Sequence, residues 1–134
     1  MKTPFKIGDT KSIRICVQEK DTATFDSGNV HPVYATFALG RDAEWCCRLF
    51  VLEMKEDDEE GIGTFLSITH HSPALIGSNV TFTASITKLQ KNEIVCQYEA
   101  KVGDRLIATG EQGQKILKKE KLESLFTNLS LMNP

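Results

Sequence analysis

Residues 31–50, HPVYATFALGRDAEWCCRLF, decide how the rest of the chain is read. From about Thr36 to Met54, Phe37, Ala38, Cys46, Leu49, Phe50 and Leu52 form a broad apolar surface at helical spacing, interrupted by Arg41, Asp42, Arg48 and Glu53. The pattern predicts a mostly buried helix. Thr36 and Glu44 stand eight positions apart on it (44 − 36 = 8), with Gly40 between them. On a straight helix they would lie about 12 Å apart and about 80° out of phase, too far to touch. Either the helix proper begins near Gly40, with Thr36 bent back on the preceding turn, or the two groups hold different parts of one substrate.

Upstream of this stretch, Lys11 to Gln18, KSIRICVQ, alternates imperfectly and reads as a strand. Glu19 to Asn29, EKDTATFDSGN, is polar and rich in turn residues, so it is expected to be a loop, long enough to serve as a lid. Downstream, Lys55 to Gly61, KEDDEEG, reads as a solvated turn, without the ligand spacing of a calcium loop. Strands follow. Gly63 to His71 is one. Asn79 to Leu89 puts Val80, Phe82, Ala84 and Ile86 on one face, and Glu93 to Val102 does the same with Ile94, Cys96, Tyr98, Ala100 and Val102. The joins at Gln90-Lys91-Asn92 and Gly103-Asp104 have hairpin length, which makes the neighbours antiparallel. Arg105 to Leu117 carries Gly110 and Gly113, the mark of a bulge or a close backbone approach. Lys118 to Met132 reads as a short amphipathic helix that covers an edge or meets another chain, and its lysines as a solvated face rather than a phosphate site.

A chain of 134 residues has the length of one domain, and 40% apolar with 25% charged residues is an ordinary globular composition. A formal charge of −2 supplies no basic field for nucleic acid. No run approaches the roughly 20 apolar residues of a membrane span, and MKTPFKIGDT lacks the apolar core of a signal peptide, so a cytoplasmic protein is expected. Cys16, Cys46, Cys47 and Cys96 show no CxxC spacing and read as small buried hydrophobes rather than metal ligands or disulfides. No metal-ligand cluster and no Gly-rich nucleotide loop is expected.

A strand, a long loop, a helix and then four antiparallel strands is the layout of an α+β hot-dog domain, an antiparallel sheet wrapped around one central helix. YATFALGRDAEWCC, followed by IGTFLSITHHSPALIGSNVTFTASI, resembles the fluoroacetyl-CoA thioesterase type of hot-dog protein over roughly residues 30–117. The shared pattern is an A-T dipeptide, an E-W helix, a G-T strand start, and a T-H followed by a P-x-x-G-like turn. The resemblance implies hydrolysis of a short or medium acyl-CoA, with CoA entering as part of the substrate and no separate cofactor. It places the family's catalytic threonine, glutamate and histidine on Thr36, Glu44 and His70, and the glycine that approaches the thioester on Gly63. Gln114 stands where the fluoroacetyl enzyme has an arginine, and Gly28 and His31 where it has gating phenylalanines, so a different acyl group is expected, with His31 and Gln114 near it. It also implies a homodimer with the site at the joint, His70 facing Glu44 of the other chain.

Taken singly, each residue has a plainer reading: Thr36 as a helix N-cap, Glu44 as a partner of Arg41 or Arg48, His70 as an ordinary strand residue. The chemistry of the set is nonetheless coherent. A helix start offers free N–H groups to a thioester oxygen gaining charge. Glu44 can activate water or attack directly, and His70 can polarise the site or protonate the leaving sulfur. The alternative from another class is a hot-dog module that binds acyl-CoA without hydrolysing it.

Overall fold

The computed structural model describes residues 1–25 and 28–132, with the side chains of residues 24–30 outside that description. The elements are β1 (Thr10–Cys16), a 3-10 turn (Glu19–Asp21), β2 (Thr22–Phe25), β3 (Gly28–Tyr34), α1 (Thr36–Met54), β4 (Glu59–Leu66), β5 (Thr69–His70), β6 (Asn79–Gln90), β7 (Glu93–Val102), β8 (Arg105–Lys118) and α2 (Lys119–Met132). The main sheet runs β1-β6-β7-β8-β4, with β5 also paired to β8, and every pair is antiparallel. It curls around α1 as the hot-dog reading expects.

The core lies between the inner face of that sheet and one side of α1. Ala38, Leu39, Ala43, Cys46, Cys47, Phe50, Val51 and Met54 recur every three or four residues and are buried. Val80, Phe82, Ala84 and Ile86 of β6 meet them, with Ile94, Cys96, Tyr98 and Ala100 of β7, all at most 2% exposed. Phe50 also receives the edge of Phe5, with ring centroids 5.0 Å apart. Period two in the strands and 3.6 in the helix thus pick out the same core from opposite sides.

Several expectations are corrected. The loop expected over 19–29 is instead a 3-10 turn followed by a strand that pairs with β3, so it lies against the body as a hairpin. Residues 26 and 27 of that stretch, and the surroundings of Gly28, lie outside the described residues and side chains. The helix does not begin at Gly40. Its N-cap is Ala35, its first residue is Thr36, and no bend brings Thr36 to Glu44. Gly40 serves another end: a Cβ there would sit 2.8 Å from Ile68 Cδ1, so its bareness lets the β4–β5 corner close on the helix. The run Lys55–Gly61 is only partly solvated, since Glu59 and Glu60 open β4 and Glu59 is 6% exposed. Glu59 accepts the Glu56 N–H at 2.9 Å, a bond that holds its carboxyl below the usual range. The strand expected over 63–71 is split in two by a corner at Ser67 and Ile68. Cys16 is exposed, whereas Cys46, Cys47 and Cys96 are buried. Burial pushes the Cys46 thiol up to about 11, and a hydrogen bond with Cys96 adds to burial in raising that of Cys47.

α2 leaves the end of β8 with only Leu122 buried, while Leu125, Phe126 and Leu129 are about half exposed. Among the described residues, no helix is long and apolar enough to cross a membrane.

Candidate active site

Thr36 takes its position from the chain that precedes it. The Tyr34 N–H donates to Ala74 O at 2.8 Å, and the Ala35 N–H to Asp21 O, also at 2.8 Å. Tyr34 itself is 1% exposed and donates its hydroxyl to Asp42, which Arg41 also grips at 3.1 Å while reaching Asp21 at 3.0 Å. Burial, then the Asp42 bond, push the Tyr34 phenol far up, so it remains a donor. This network clamps the entry to α1. The first bond within the helix is Leu39 N–H to Ala35 O at 2.9 Å, so the N–H groups of Thr36, Phe37 and Ala38 have no partner inside it.

At this helix start the Thr36 Oγ1 lies 3.1 Å from His70 Nδ1. His70 comes from β5, held against Ala108 of β8. The two side chains border a cavity of about 340 Å³ whose walls include His31, Val33, His71 and Pro73, so all three histidines of the chain line one pocket. The His71 ring is tied by its Nε2 to Thr109 Oγ1 at 2.8 Å. Partial burial, with His71 as a lesser cause, lowers the His70 pKa below the ordinary imidazole value, which favours its neutral form at pH 7.

Glu44 lies elsewhere. Two turns further along α1, it faces β4, where its Oε1 sits so close to Gly63 that a Cβ on that residue would be 2.5 Å away. The same oxygen accepts from Gln112 Nε2 at 3.2 Å, and Gln112 Oε1 in turn accepts from Gln114 Nε2 at 3.0 Å. Neither expected cation reaches Glu44: Arg41 is taken by Asp21 and Asp42, and Arg48 by Glu60 at 2.6 Å. Within one chain, then, Thr36, His70 and His31 come together around the pocket, while Glu44, Gly63 and Gln114 form a second group. Gln114 is 2% exposed, with one residue between it and Glu44. Gln112 escapes the sequence reading because an inward glutamine on a strand looks like any polar residue at an alternating position; its pairing with Glu44 joins residues 68 apart.

β4 is an edge of the sheet, and Phe65 and Leu66 on it are 45% and 40% exposed. Phe37 and Trp45 of α1 are 60% and 47% exposed.

The model of the fluoroacetyl-CoA-specific thioesterase family matches residues 17–120. A solved protein of Thermus thermophilus, described as a thioesterase superfamily member, is 34% identical, with 96% of each chain covered and a TM-score of 0.90. A variant of the fluoroacetyl-CoA-specific thioesterase FlK is 20% identical, with 95% of this chain and 98% of the other covered and a TM-score of 0.85. A hot-dog-like protein of Thermanaerovibrio acidaminovorans is 19% identical, covers 92% of each chain and has the same TM-score, 0.85. A search of curated proteins finds no match. With 104 of its 134 residues inside the family model (120 − 17 + 1 = 104) and the fold in agreement, the chain belongs to the fluoroacetyl-CoA-specific thioesterase family and is a hot-dog thioesterase.

Proposed function

We propose that the protein hydrolyses short or medium acyl-CoA thioesters in the pocket at the start of α1. The observation that carries this reading is the Thr36–His70 pair, 3.1 Å apart, beside backbone N–H groups with no helical partner. The thioester carbonyl oxygen would sit against those N–H groups, which answer the negative charge of the tetrahedral intermediate. Glu44 draws a proton from water, whose oxygen adds to the carbonyl carbon; the C–S bond then breaks, the proton held by Glu44 passes to the departing sulfur, and the acid and the CoA thiol leave with Glu44 restored as the base. The Thr36 hydroxyl, bonded to His70, orients the thioester, and His71 and His31 line the space for the acyl group.

Glu44 cannot join its own Thr36 along a straight helix, where eight residues span about 12 Å. A homodimer supplies the answer: two copies meeting along the unpaired β4 edge, with Phe65, Leu66, Phe37 and Trp45 covered, bring Glu44 of one chain to His70 of the other. An apolar exposed edge strand left bare would favour aggregation, which gives the pairing a physical motive. A variant of FlK has been solved in complex with fluoroacetate and CoA. Fluoroacetyl selectivity is not carried over, because His31 and Gln114 differ from the pattern that accompanies it.

Thiol release measured over a panel of straight-chain, branched and polar acyl-CoAs tests this reading. Turnover of short members supports it. Saturable binding of all members without turnover, by a folded protein, would leave the binding-module alternative in its place. In the same assay, the acid limb that His70 gives to kcat/KM is expected to be centred below pH 6.5, the ordinary imidazole value. The sign follows from the lowered pKa: the neutral form persists to a lower pH than in a free histidine. An acid limb centred above pH 6.5 counts against a role for neutral His70. Gly63→Ala is expected to lower kcat about tenfold or more while changing stability by under about 1 kcal/mol. The new methyl meets the flexible end of Glu44, which can swing away at little cost to the fold but not to its aim. Thermal unfolding measured beside kcat separates the two effects.

A further inference from the structure

We propose that Gln112 is a positioning residue that fixes Glu44 by one of its two oxygens, leaving Oε2 to meet water. Gln112 is 1% exposed, and each of its polar atoms is committed. Its Nε2 donates to Glu44 Oε1 at 3.2 Å and to Gly113 O at 3.0 Å, which uses both amide hydrogens. Its Oε1 accepts from Gln114 Nε2 at 3.0 Å. Gln112 Nε2 faces two groups that accept, the Glu44 carboxylate and the Gly113 carbonyl, and these fix which way its amide is turned, while Gln114, itself 2% exposed, donates to the remaining oxygen.

A neutral donor has a particular value here. Among the described residues no cation pairs with Glu44, so its carboxylate is aimed by an uncharged amide rather than by an opposing charge. Gly63 closes the other side of Oε1, leaving that oxygen boxed between a bare backbone and an amide. The side chain of Glu44 is exposed as a whole, and among the described residues Oε2 has no hydrogen bond. The proposal rests on Glu44 acting as the base of the thioesterase reaction.

Gln112→Met keeps the volume and removes the donor. It is expected to lower kcat about 10–100-fold with KM changed less than about threefold, since the aim of the base is lost and not the binding of substrate. Gln112→Glu keeps the shape, and its deficit relative to the parent should shrink as pH falls, because a protonated carboxyl can donate to Glu44 Oε1 and an ionised one repels it. A residue that merely packs would give a deficit independent of pH. In the ¹⁵N-labelled protein, the Gln112 side-chain amide resonances should move on Glu44→Gln and stay in place on Thr36→Ala, and this readout needs no turnover. A panel without turnover would overturn the proposed function, while the amide resonances would still decide whether Gln112 holds Glu44. The proposal is overturned if those resonances ignore Glu44→Gln, or if a folded, active Gln112→Met keeps the parent's kcat.

Discussion

Glu44→Gln is expected to lower kcat by about 10²–10⁴-fold, with KM within about threefold of the parent and the melting temperature nearly unchanged, the range associated with losing a positioned general base. The substitution preserves shape, and the new side chain can still turn its oxygen to Gln112 Nε2, so the packing of α1 is kept and the bond to Gln112 loses only its charge. What disappears is the ability to accept a proton from water. Thr36→Ala should behave differently: losing the hydroxyl that meets His70 at 3.1 Å removes orientation and leaves the base in place, so its deficit should be smaller and shared between kcat and KM. Initial-rate kinetics on the best substrate of the panel, with circular dichroism as the control for folding, would check both. A Glu44→Gln protein retaining a third or more of the parent kcat would remove Glu44 from the reaction.

Gly110→Ala is expected to cost about 2–4 kcal/mol of stability, combining overpacking with a lost hydrogen bond of a buried phenol. Gly110 lies where the β4–β5 corner crosses β8. A Cβ there would drive into the carbonyl oxygen of Ser67 and come within 2.6 Å of the Tyr98 hydroxyl. Ser67 has no room to retreat: its carbonyl accepts from Tyr98 at 2.7 Å, its N–H donates to Glu111 O at 2.9 Å, and its hydroxyl accepts from the Glu111 N–H at 2.9 Å. Burial pushes the Tyr98 phenol up to about 12, which keeps it a donor. Lifting the corner would carry β5 and His70 with it, so activity should fall beyond what unfolding explains. Chemical denaturation of Gly110→Ala and of Gly103→Ala provides the comparison, since a Cβ at Gly103 meets nothing within 4 Å but its φ of +59° is strained for any side chain. If Gly110→Ala proves as stable as the parent, the corner is more compliant than its bonds imply.

β6 was legible almost to the residue because alternate positions are buried and period two exposes that asymmetry directly, whereas β7 and β8, with runs of consecutive buried residues, were bounded by their hairpin turns. α1 was legible for the corresponding reason at 3.6 residues per turn. The 19–29 segment was not, since its polar residues satisfy themselves locally: the Gln18 N–H donates to Asp21, and the Thr22 hydroxyl to Glu19 O at 2.6 Å. A short strand built on such turns carries little periodicity. Gly40 misled because a glycine in a helix can signal a bend or a close approach, and only the neighbouring Ile68 decides between them. The resemblance placed Thr36, Glu44 and His70, but which of them share a pocket depends on β5 crossing β8, a pairing between residues nearly 40 apart. Gln112 shows the same blindness, since nothing local distinguishes it from a glutamine facing water.

The two outer strands of the main sheet have a kinetic corollary. β1 pairs with β6 across 75 residues at its first register point (Thr10 with Ser85, 85 − 10 = 75), and β4 with β8 across 59 (Glu59 with Lys118, 118 − 59 = 59). The meander between them needs only tight hairpins. Closing loops of the longer kind is entropically expensive until a surface exists to receive the ends, so local hairpins have the head start. The 79–118 hairpins would then serve as the template on which α1 docks and the outer strands zip last. Partial opening reverses that order, releasing β4 and the two-residue β5 while the meander holds. His70 would thus report on a late-closing seam of the molecule, and the proposed catalytic pocket would come apart before the protein unfolds.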